Sequence, residues 1–180
     1  MGQVSHLFVR GVDALSVRLG HLAAWMLALA CALSAGNALI RYTFNLGSNA
    51  WLEAQWYLFG AAVFLGAPAL LKLNEHVRVD VIYGSRAPRT RAWIDLLGLL
   101  LVLLPVCLIT GWLCVHMVHD SYVQQEVSPS AGGLLRWPIK AMIPMGFALL
   151  ALQAVSEIIK RVGYLRGTYN MDTHYERPLQ

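Results

Sequence analysis

The chain has 180 residues, of which 57% are hydrophobic and 13% charged, with a formal net charge of +4. Soluble domains carry about a quarter charged residues, so this composition excludes an ordinary water-facing surface and points to a protein solvated largely by lipid. The positive charge does not point to nucleic acid, because the lysines and arginines flank apolar runs instead of forming a basic stretch interleaved with polar residues.

The predicted fold is all-α and integral to the membrane: one domain over 1–180 with four transmembrane helices. A helix needs about 20 apolar residues to cross the hydrocarbon layer. The candidate spans are 22–40, 52–71, 93–115 and 138–159, with a tail at 160–180. These runs are continuous, not alternating, which argues against barrel strands. The first is too long for a signal-peptide core and reads as a retained anchor. Position 6 is His, not the Ser or Thr of a myristoylation signal.

Lysine and arginine counts set the predicted orientation. Eleven lie in the N-terminal segment, the loop between the second and third spans, and the tail; only Arg41, Arg136 and Lys140 fall on the other side. Both termini and the middle loop are therefore expected in the cytoplasm. Trp51, Trp56, Trp93, Trp112 and Trp137 fall near predicted interfaces, where indole rings prefer to lie. Pro88 and Pro138 suit the first turns of their helices, and Pro144 is expected to kink the last one.

Between the second and third spans lies "NEHVRVDVIY", residues Asn74 to Tyr83. Read as a helix, Leu73, Val77 and Val81 share a face while Glu75 and Arg78 turn to water, giving a short amphipathic segment at the cytoplasmic interface. Arg78, Arg86, Arg89 and Arg91 are candidate contacts for lipid headgroups. The alternative is a solvated loop.

Ionisable residues within spans are functional candidates. Glu53, with Gln55 beside it, lies one turn inside the outer end of the second helix, which suits an interfacial carboxylate better than a midplane proton carrier. Asp95 sits one turn after Arg91 and reads as its intrahelical partner or as a functional carboxylate. His116, His119 and Asp120 share a helix face as zinc ligands might, but such a trio is common by chance. His21 and His76 belong to one side of the membrane and His116 and His119 to the other, so no pair can clamp a haem. Cys31, Cys107 and Cys114 all lie in apolar runs and read as small buried hydrophobes. Ala24, Ala28, Ala32 and Gly36 form a small-residue stripe, for packing within the chain or against another subunit. No nucleophile, phosphate-loop or metalloprotease motif is present, so an enzyme has nothing to rest on and no cofactor is implied.

The stretch from Ser48 to Gly98 resembles the small (Q-type, DctQ-like) membrane subunit of TRAP transporters. It carries Trp51-x-Glu53 near the start of the second helix, followed by an apolar run. A further segment matches the family at Asn74, His76, Val77, Val79 and Asp80, and a basic stretch leads into "WIDLLG". The outer loop and last helix, "EVSPSAGGLLRWPIKAMIPMGFALLALQAVSEIIKRV", are similar to one branch of the same family. Many members carry a second acidic residue just after the Glu, where this chain has Ala54 and Gln55. The resemblance implies a fixed scaffold in the bacterial inner membrane. That scaffold would brace a large (M-type) membrane subunit that imports organic acids with sodium, supplied by a periplasmic substrate-binding protein. Glu53, Gln55, Trp56, Asn74, His76, Val79, Asp80, Asp95, Ala28, Ala32 and Gly36 are then candidates for the subunit interface or for structural roles. Two other readings stay open: a self-sufficient four-helix exporter using Glu53, and a haem or quinone electron-transfer subunit.

Overall fold

The computed structural model describes residues 3–74, 83, 86–130 and 132–170. Four helices account for almost all of them: α1 (Gln3–Phe44), α2 (Asn49–Leu73), α3 (Pro88–Val123) and α4 (Trp137–Leu165). Each is long and apolar enough to cross a membrane, and the described residues form no strand beyond one isolated bridge.

The helices outrun the predicted spans, because hydropathy measures the lipid layer and not the helix. The 42 residues of α1 extend about 63 Å at 1.5 Å per residue, roughly twice the hydrocarbon thickness. Its first half carries too many polar residues to register as a span. It is held as helix by packing, with Val9, Val12 and Ser16 buried on one face. The last helix likewise continues to Leu165, so Lys160 and Arg161 are helical.

Pro105 explains an irregularity inside α3. A proline ring clashes with the carbonyl four residues earlier in an α-helix and donates no hydrogen bond. Over Leu99–Leu103 the helix widens into a π-turn, and the Leu104 N–H reaches back five residues to the Leu99 carbonyl. The widened turn presses Leu99 into a small core with Leu71 of α2 and Ala154 of α4.

α4 is the hub. It packs against α1, α2 and α3, while α1 otherwise lies along α2. Small residues set the closest approaches: a Cβ added at Gly146 would lie 2.5 Å from Cβ of Phe64 in α2, and one at Gly20 would lie 2.7 Å from Cβ of Ala69. The α1–α2 seam therefore runs through Gly20, Ala23 and Gly66. The expected stripe points elsewhere: Ala24, Ala28 and Ala32 are exposed and Gly36 is half-buried. Cys107 is buried as expected, but Cys31 faces outward.

Candidate functional site

Two polar assemblies, one toward each end of the bundle, hold most of its buried polar side chains. The first is built on Glu53. One turn into α2 its side chain points inward, leaving the residue only 4% exposed. Its two oxygens bind the loop between α3 and α4: Ser128 Oγ donates to Oε1, and the Leu134 N–H donates to Oε2 at 2.7 Å.

The loop suits that role. Ser128 N–H donates to the Leu134 carbonyl at 3.0 Å, and Arg136 N–H to the Glu126 carbonyl at 2.8 Å, around an antiparallel bridge between Val127 and Leu135. Gly132 takes a φ of +73°, which few side chains tolerate, and Gly133 leaves no room for a Cβ beside Ser128 and Ser130. Tyr57, one turn after Glu53, donates its hydroxyl to the Leu135 carbonyl at 3.1 Å. Glu126 fastens the other side, accepting from Lys140, from Ser121 Oγ at 2.8 Å and from Arg136 at 3.2 Å. Lys140 first, then Ser121, hold its carboxyl well below the usual range, at about 2.

The second assembly was not expected. Along α4, Gln153, Ser156, Glu157, Lys160 and Arg161 are all buried, and Ser16 of α1 joins them. Ser16 Oγ donates to Gln153 Oε1 at 2.7 Å, and Gln153 Nε2 donates to Asp13 at 3.0 Å and to Glu157 at 3.1 Å. Asp13 also accepts from Ser156 at 3.1 Å and pairs with Lys160 at 3.2 Å. Glu157 takes both Lys160 and Arg161, and Arg161 reaches Asp95 of α3 at 3.4 Å. Tyr83 completes the chain by donating to Asp95 at 2.9 Å. Charges removed from water are held here by mutual pairing and by neutral donors, as burial requires.

With both assemblies in place, the likeness to known proteins can be stated. Residues 30–163 match the family of tripartite ATP-independent periplasmic transporters, DctQ component. The chain belongs to that family. No curated protein and no solved structure matches it.

In this DctQ component the residues singled out from the sequence fare unequally. Glu53 is central to the loop anchor. Asp95, read as a partner for Arg91, bonds across the bundle to Arg161, while the Arg91 guanidinium lies over the Tyr83 ring at 5.7 Å and its Nε donates to the Arg86 carbonyl at 2.8 Å. Asn74 ends α2 in the left-handed conformation, φ +63°, with its N–H turned back to the last carbonyls; among non-glycine residues Asn tolerates this best. Gln55 is half-buried, and Trp56, Arg86 and Arg89 are exposed. His76, Arg78, Val79 and Asp80, and with them most of the amphipathic segment, lie outside the described residues. His116 stands edge-on to Trp112, and His119 and Asp120 are 3.6 Å apart with both side chains largely exposed. Among the described residues no three His, Cys, Asp or Glu side chains gather as metal ligands.

The charged assembly is not evident in the sequence because Lys160 and Arg161 serve equally well as topology signals at the end of a span. Its signal was nevertheless present: positions 153, 156, 157, 160 and 161 lie on one helix face, and an all-polar face on a spanning helix has to be buried against something.

Proposed function

We propose that this DctQ component is the fixed scaffold of a sodium-coupled importer of organic acids in the bacterial inner membrane. It braces a large membrane subunit that moves the solute delivered by a periplasmic binding protein. Both termini and the charged assembly face the cytoplasm, and the Glu53-anchored loop faces the periplasm. The observation that carries this reading is the commitment of the buried carboxylates to structure. Both oxygens of Glu53 hold the loop, and Glu157 is held by two cations and an amide. A carboxylate that binds and releases a transported ion must exchange partners in each cycle, whereas these lock helices and loop into one arrangement. Lipid-facing and subunit-facing surface is abundant, with Leu101, Leu108, Ile109, Trp112 and Leu113 of α3 all more than half exposed.

The test is co-purification. The tagged chain, expressed with the large subunit of its own system, should bring that subunit down in a stable complex from mild detergent. If the large subunit purifies and transports equally well without this chain, the scaffold role is wrong.

A further inference from the structure

A second feature lies beside the charged assembly, where the last turn of α4 meets the start of α1. There a groove of about 370 Å³ opens outward, with Ile158, Ile159, Val162 and Gly163 along it and Ser5, Arg166 and Thr168 at its rim. The chain builds it deliberately. Past the end of α4, Gly167 adopts φ +72°, so the backbone turns back on itself. The N–H groups of Thr168 and Tyr169 and the Thr168 hydroxyl all then donate to the Gly163 carbonyl, at 2.9, 3.2 and 3.1 Å. Tyr169 is brought beside His6 of α1, ring centroids 6.2 Å apart.

We infer that this groove binds one phospholipid with an anionic headgroup, its acyl chain against Ile158, Ile159 and Val162 and its phosphate on Arg166. Three observations support it. The volume falls in the range of small-ligand pockets. The polarity is graded along the groove: aliphatic at Ile158, Ile159 and Val162 and cationic at Arg166, just past the end of the helix at Leu165, as a lipid is graded from tail to headgroup. The charge is available. Lys160 and Arg161 are buried in ion pairs, but among the described residues the exposed Arg166 guanidinium has no ion-pair partner. The nearby Glu157 does not oppose an anion, because Lys160 and Arg161 neutralise it. A basic side chain at the rim of an apolar inter-helix groove is the arrangement that captures anionic headgroups. The proposal rests on the helices crossing a membrane, not on the transport reading.

Native mass spectrometry of the full chain, released from micelles doped with equal dioleoyl phosphatidylglycerol and dioleoyl phosphatidylcholine, tests it. Wild type should retain one phosphatidylglycerol with about fivefold preference, the increment of one basic residue at a membrane surface. Arg166→Gln should abolish the preference, Arg18→Gln should keep it, and Val162→Trp, which fills the groove, should lose the bound lipid. Inorganic phosphate at millimolar concentration should not displace it. Equal retention by wild type and Arg166→Gln overturns the proposal, as does retention by Val162→Trp with an unchanged melting temperature. Displacement by inorganic phosphate would assign the site to a free anion and overturn the lipid.

Discussion

Removing a cation from the charged assembly should be more damaging than removing its central carboxylate. Asp13, Asp95 and Glu157 face Lys160 and Arg161, so the five side chains carry one excess negative charge. Arg161→Met raises that excess to two and strips Asp95 and Glu157 of a shared partner. Breaking a buried pair in this way costs about 3–5 kcal/mol. For a chain of this size each kcal/mol lowers the melting temperature by about 2–4 °C, so a fall of roughly 6–20 °C is expected. Glu157→Gln instead leaves two balanced pairs, Asp13 with Lys160 and Asp95 with Arg161. The Gln carbonyl can still accept from one of the two cations, so the change should cost one charge-assisted bond, about 1.5–3 kcal/mol. The double variant restores the wild-type excess of one, so its loss should be smaller than the sum of the two singles. Thermal unfolding in detergent, followed by circular dichroism, measures all four proteins. Equal losses from the two single variants, or a strictly additive double variant, would refute the reasoning.

Three further outcomes follow from the geometry. Glu53→Gln leaves no second acceptor for the loop, so the Leu134 amide should exchange hydrogen at least several-fold faster while amides in the middle of α4 stay unchanged; unaltered exchange would remove Glu53 from the anchor. Gly146→Val places a Cβ 2.5 Å from the rigid Cβ of Phe64, and should destabilise by about 1–3 kcal/mol as overpacking, seen as a lower melting temperature. The carboxyl of Glu126 lies near 2 in the folded protein against 4.5 ordinarily, so its contribution is complete above about 4.5 and is lost as pH falls from there toward 2. Exchange at the Ser128 and Arg136 amides should accelerate over that window in wild type and be nearly pH-independent in Glu126→Gln, once corrected for intrinsic exchange.

The helices were legible because continuous apolar runs have few other uses, and the family motif lay in plain residue types. Their ends were not. The first half of α1 is helical through burial of Val9, Val12 and Ser16 against the bundle, a tertiary cause that hydropathy cannot register. The π-turn over Leu99–Leu103 could have been anticipated from Pro105. Glu53 stood out as an interfacial carboxylate, but its partners Ser128 and Leu134 lie 75 and 81 residues away, and nothing local links them. Which of its two roles the small-residue stripe serves was not legible, because α1 offers two such faces. Gly20 and Ala23 meet α2, while Ala24, Ala28 and Ala32 turn outward.

The most direct measurement is solute uptake in proteoliposomes of three compositions: this chain alone, the large subunit alone, and both, each with the binding protein and a sodium gradient. Sodium-driven uptake is predicted only when both membrane proteins are present. Accumulation by vesicles holding this chain as their sole membrane protein would contradict the account.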